Sequence, residues 1–142
     1  ESPSQLNFWL SFGGQETLES YGGSPDDIPQ DHLQFFRECK LYHEIDDYFF
    51  VHANYTATVE LDEQPEYTLL WEHLNVHLPQ KHVSGKRAVP GHTPQASGDV
   101  LNLDQLICID THCYGNGYLT ALDVGDLSIW QADKGGVVRG DE

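Results

Sequence analysis

The apolar residues of this chain change period near residue 40, and that change bounds what it can fold into. Before it, Leu6, Trp9, Leu10, Leu18, Leu33 and Phe36 recur at helical spacing; after it, apolar residues come in short runs separated by turn residues. Helices first and strands afterwards, with no internal repeat, read as an α+β fold rather than regular βαβ alternation. The spacing predicts two short helices over 5–21 hinged at Gly13-Gly14, a loop over 22–29, and a helix over 30–41. Strands are expected at 40–43 and 48–51, joined by an Asp46-Asp47 turn, and a helix at 65–77. A loop over 79–86 then leads into a strand over 87–89. Further strands are expected at 99–103, 106–110, 118–124 and 127–131, with turns at Asn116-Gly117 and Gly125-Asp126 and a fraying tail beyond Asp133. Trp9, Trp71 and Trp130 are expected in the core.

Two of the strand-like runs end on histidine. Tyr48-Phe49-Phe50-Val51 stops at His52, and Ala88-Val89-Pro90-Gly91 stops at His92, each followed by small or turn-forming residues. A strand that ends this way delivers an imidazole to the edge of a sheet, where a rigid element holds it for a metal. Two such strands supply half of a site for zinc, manganese or iron, and hydrolytic centres usually need carboxylates as well. The other histidines carry plainer readings. His73 and His77 stand four apart on the expected helix, a spacing that suits an exposed face as well as a metal. His32, His43 and His82 lie in polar company and require no function. His112 and Cys113, being adjacent, are expected to diverge along extended backbone.

Charge and cysteine content narrow the function classes. The 142 residues carry a net charge of −16, spread without long acidic blocks, and such a surface repels phosphate backbones and anionic lipid. Neither nucleic acid nor a membrane surface is an expected partner. The three cysteines form no CxxC pair, and their odd number argues against a closed disulfide framework, so a reducing cytoplasm is the expected compartment. No apolar run approaches the roughly 20 residues that span a bilayer, and no signal peptide is visible. A chain that opens on Glu1 and has no methionine is expected to be part of a longer reading frame.

Six segments, in order, give the sequence a resemblance. They are FWLSFGGQETLESYG at 8–22, IPQDHLQFF at 28–36, FFVHAN at 49–54, LLW at 69–71, GHTP at 91–94 and IDTHCYGNGYLTALDV at 109–124. Together they resemble the carboxy-terminal half of the calcineurin-like metallophosphoesterases, in the branch of bacterial serine/threonine protein phosphatases. The resemblance implies that residues 1–142 are the carboxy-terminal part of one α/β-sandwich domain of mixed sheets flanked by helices. It implies metal ligation by His52 and His92, and a centre of two divalent ions, Mn, Fe or Zn, that activates a hydroxide for attack on phosphorus. The family's GDxHG, GDxxDRG and GNHE motifs do not occur in this sequence. No complete catalytic set is therefore expected in this chain, which is expected to be inactive by itself and to self-associate or pair with the missing half.

The implied substrate is a phosphoprotein or a small phosphoester. Hydrolysis of dinucleoside polyphosphates is the enzymatic alternative, and a non-catalytic binding or regulatory domain is the alternative of another class. The chain departs from the family pattern at Asn54, where many relatives have glycine or aspartate. It departs again at His73, where an arginine is common, and at His112, where glycine is common. If that arginine contacts substrate, His73 takes its place without the bidentate guanidinium fork. Asn54 is able to hydrogen-bond near a metal or phosphate, and His112 to reshape the mouth of the site. Thr93 is expected to fix local geometry, and Asp110 either to hydrogen-bond a ligand histidine or to serve as a strand-end turn acceptor.

Overall fold

The computed structural model describes residues 3–140 as a mixed α+β fold with three small sheets. It divides into two compact units, Glu1–Cys39 and Lys40–Glu142.

The first unit is helical. Helix α1 (Pro3–Trp9) runs through a wide turn at Leu10–Gly14 into α2 (Gln15–Tyr21), and Phe12 and Gly13 leave helical geometry there, Gly13 at φ 93°. The hinge expected at the glycines is thus present, because a positive φ carries little strain without a Cβ. Gly14 closes against Trp9, whose indole would lie 2.6 Å from an added Cβ. A capping box between Ser24 and Asp27 opens the 3₁₀ turn Pro25–Asp27, and α3 (Gln30–Glu38) follows. Leu18 is buried, whereas Phe8, Phe12, Phe35 and Phe36 are exposed.

The second unit holds the sheets. Strands β1 (Tyr42–Ile45) and β2 (Tyr48–Val51) form the expected hairpin around Asp46-Asp47, with β1 two residues later than its spacing suggests. Asp46 takes φ 49°, which two-residue hairpin turns favour. Strand β3 (Arg87–Val89) lies parallel to β2, with Phe49 opposite Ala88. The connection between them contains a 3₁₀ turn (Leu61–Glu63) and α4 (Glu66–Trp71). Strand β4 (Leu101–Asn102) pairs with β5 (Ile107–Cys108), and Leu106 bridges to Ala88 of β3. Strands β6 (Asp110–Thr111), β7 (Tyr118–Leu122) and β8 (Ile129–Ala132) make an antiparallel sheet, so the run expected at 106–110 is divided between two sheets. Period-2 alternation turns Phe49 and Val51 inward, where they meet Tyr55, Leu61, Leu69, Leu74, Ala88, Leu106 and Cys108 in one core.

Several expectations are corrected. The helix expected to reach residue 77 stops at Trp71, because Glu72 turns extended at ψ 121° and the Leu74 N–H donates to Thr93 Oγ1 at 2.8 Å instead of to its own helix. His73 and His77 consequently share no helix face. Trp9, Trp71 and Trp130 are 39%, 56% and 56% exposed, so none is a core residue. The tail is held through Arg139, which donates to the Gly98 carbonyl and Gln131 Oε1 and pairs with Asp99 at 2.8 Å. His112 has φ 64°, so the backbone there is not extended and the divergence argued for His112 and Cys113 does not apply.

His82, read as an ordinary polar histidine, is buried. Its Nε2 lies 2.7 Å from the Val59 carbonyl, and its Nδ1 accepts from the Ser84 N–H at 3.1 Å. Gln64 beside it donates to the Thr56 and Val59 carbonyls. These side chains satisfy loop backbone that no ladder reaches, and among the described residues no buried side-chain nitrogen or oxygen lacks a partner. No helix among the described residues is long and apolar enough to cross a membrane.

Candidate metal centre

Both strand-end histidines belong to the parallel pair β2–β3, so the register of that pair places them. Val51, the last residue of β2, is buried and anchors the strand, and His52 immediately after it is exposed. The Gly91 N–H donates to the His52 carbonyl at 3.0 Å, extending the pairing past β3. A Cβ at position 91 would stand 3.2 Å from that carbonyl oxygen, and glycine permits the approach. His92 follows at φ 59°, in a three-residue turn closed by the Thr93 N–H donating to the Gly91 carbonyl at 2.6 Å. A left-handed backbone at a residue other than glycine is a strain that surrounding contacts must hold, and such positions cluster at functional sites.

The result is a close imidazole pair. His52 Nε2 lies 3.2 Å from His92 Nδ1, with the ring centroids 4.8 Å apart. Two nitrogens each about 2.0–2.1 Å from one ion, at bond angles between octahedral and tetrahedral, stand about 2.8–3.4 Å from each other. The observed separation lies within that range, and neutral imidazole is a good ligand for zinc, manganese or iron. The same separation is that of a hydrogen bond between the two rings, so the distance is compatible with two adjacent positions around one ion and is satisfied without one. Among the described residues no group of three or more His, Cys, Asp and Glu side chains is arranged to hold a metal.

His73 is the third histidine at the site. Its ring stacks on His92 with centroids 4.4 Å apart and planes 26° from parallel, while Trp71 meets His92 edge-on at 6.4 Å. Burial holds the His92 pKa below the ordinary histidine value, and the neighbouring His52 and His73 lower it further. A backbone hydrogen bond to Trp71 and the nearby Asp110 carboxylate oppose this in part. The balance favours neutral imidazole, the form that binds metal.

The remaining expected residues divide between support of the site and other work. Thr93 is buried and its hydroxyl accepts from the Leu74 N–H, which fastens the segment carrying His73 to the turn carrying His92. Asp110 acts as a strand-end acceptor, its Oδ1 taking the His112 N–H at 3.2 Å. Its backbone carbonyl accepts from the Gln95 N–H at 2.8 Å, just beyond the GHTP turn. Asn54 is fully buried and donates to the His77 carbonyl at 2.8 Å while its Oδ1 accepts from the Tyr55 N–H, so its carboxamide is committed to the loop. His112 packs edge-on to Tyr114 with centroids 4.6 Å apart and covers Gly115.

Sequence reasoning passed over Cys108. Its thiol lies beneath the turn, 3.6 Å from the Thr93 carbonyl and 3.9 Å from that of Gly91. Burial is the main cause that pushes this thiol's pKa up, so it stays protonated and serves as a weak donor. Its place in the apolar run Leu106-Ile107-Cys108-Ile109 was the signal for burial.

No protein-family model matches the chain, and no curated protein matches it.

Proposed function

We propose that this chain carries the histidine arm of a two-metal phosphoesterase centre, and that the whole enzyme is a protein phosphatase acting on phosphoserine and phosphothreonine. The observation that carries the reading is the 3.2 Å approach of His52 Nε2 to His92 Nδ1 from the ends of neighbouring parallel strands. The six motif segments lend support, since the two histidines fall in the VHA and GHTP segments whose counterparts hold metal in the calcineurin-like phosphoesterases. In the same reading, the three sheets form the carboxy-terminal half of the metallophosphoesterase sandwich. The remaining ligands and the phosphate-binding arginines then belong to a part of the protein outside this sequence.

His52 and His92 would hold one ion of Mn, Fe or Zn. When bound, divalent ions in such centres polarise the phosphoryl group and lower the pKa of water. The chain's own residues do the positioning: the β2–β3 register sets the spacing of the pair, and Asp110 adds negative charge near His92. His73, stacked beside the pair, would offer a ring N–H to a phosphoryl oxygen bound there.

A non-catalytic metal-binding domain is the second reading, favoured by the lack of a third ligand among the described residues. Phosphopeptide hydrolysis by the protein purified at its native length, with added manganese, separates the two. Turnover that disappears in His92→Ala supports the phosphatase. Metal binding without turnover supports the binding domain.

A further inference from the structure

We infer that His73 is a positioning residue for His92, acting through the face of its ring rather than as a metal ligand. The inference rests on the reading of His52 and His92 as a metal-binding pair.

The His92 ring is set from three directions. Its backbone is held at φ 59° in the tight turn, the Trp71 ring meets it edge-on at 6.4 Å, and the His73 ring stacks on its face at 4.4 Å with the planes 26° from parallel. Rotation of the His92 ring about its χ angles would sweep Nδ1 out of line with His52 Nε2, and stacking on one face opposes that rotation. The clamp is built on purpose-made backbone. Helix α4 ends at Trp71, and the Thr93 hydroxyl captures the Leu74 N–H at 2.8 Å, so residues 72–74 are fastened directly to the residue that follows His92. Leu74 is itself buried in the core, which prevents the segment from lifting away.

Stacked rings present their faces to each other and their nitrogens outward in the ring planes. A ring lying flat against a ligand imidazole is thus poorly placed to point a lone pair at the same ion. This agrees with the lack of a three-residue metal group among the described residues. Hydrogen-bonding partners that orient a metal-bound imidazole are worth roughly 10–100-fold in metal affinity, and a ring stacked on one face, which orients the imidazole without a hydrogen bond, is set at the low end of that range.

Titration of the 142-residue chain with Zn²⁺ by calorimetry, and separately with Co²⁺ followed by its visible absorption, tests the inference. His52→Ala and His92→Ala are expected to abolish binding; if neither does, the metal-pair reading fails first. With that reading intact, His73→Ala is expected to weaken binding about 10-fold. His73→Phe, which keeps the flat face and removes the nitrogens, is expected to restore most of the affinity with an unchanged cobalt spectrum. Equal loss in both His73 variants, or a cobalt spectrum altered in His73→Phe, would overturn the inference in favour of direct ligation. Unchanged affinity in His73→Ala would overturn it as well. Circular dichroism of each variant establishes that the fold persists.

Discussion

At the scale of single residues, the buried polar side chains have the most to lose. Tyr55 is fully buried, its hydroxyl donates to the Gln80 carbonyl at 3.0 Å, and burial pushes its pKa up to about 12. The folded state thus favours the neutral phenol, while the unfolded chain ionises near the ordinary value of about 10. The Tyr55 contribution is therefore present through neutral pH and is lost as pH rises from about 10 toward 12. Urea melts of the wild type across that window are expected to show falling stability. The Tyr55→Phe variant, costing about 1 kcal/mol at pH 7, is expected to show a shallower alkaline limb. His82→Ala removes the acceptor of the Ser84 N–H and one of the two partners of the Val59 carbonyl, which Gln64 still reaches, and leaves a cavity beside Phe49, so a loss of about 2–4 kcal/mol is expected in the same melts. His92 works in the opposite sense from Tyr55. Its lowered pKa means that protons displace metal only at more acidic pH than for an ordinary histidine, and Zn²⁺ affinity measured downward from pH 8 is expected to weaken once His92 begins to protonate.

At the scale of elements, what could be read from the sequence depended on whether local residues or distant ones decide the backbone. The β1–β2 hairpin and the hinge at Gly13 were legible, because a two-residue turn and a glycine act on their own neighbours. So was His52 as the residue that follows a strand, whereas β3 ends at Val89 and His92 stands beyond it in a tight turn. The early end of α4 was not legible, since the hydroxyl that takes the Leu74 N–H comes from Thr93, 19 residues away. For the same reason the stacking of His73 on His92 was invisible: helical spacing pairs His73 with His77, and the true neighbour lies on another element. The burial of His82 was hidden because its partners are backbone groups, which no side-chain pattern announces. The close approach of β2 and β3 past their ends rests on Gly91. Gly91→Ala would place a Cβ 3.2 Å from the His52 carbonyl, and a shift of a few tenths of an ångström there is expected to weaken Zn²⁺ binding while changing the melting temperature little.

At the scale of the whole molecule, the two units differ in how much of their apolar surface they bury. Every member of the core cluster lies within Lys40–Glu142, as do both histidines of the pair, whereas the helical unit leaves four phenylalanines exposed. A chain beginning at Lys40 is therefore expected to keep its cooperative unfolding and its Zn²⁺ affinity, which thermal melts and calorimetry on that shortened chain would check. The net charge of −16 opposes compaction, so raising the salt concentration from low values is expected to raise the melting temperature.

The parallel pairing of β2 with β3 carries a consequence in time. His52 and His92 are 40 residues apart along the chain, and they meet only after the long connection between the strands has closed. Closure of that kind comes late, because the entropy of the loop is lost before the contacts compensate for it. An ion held by both imidazoles would clasp the finished loop without having helped to form it. Zinc is then expected to slow unfolding while leaving the refolding rate nearly unchanged, and stopped-flow measurements with and without a chelator would read the difference between the two limbs.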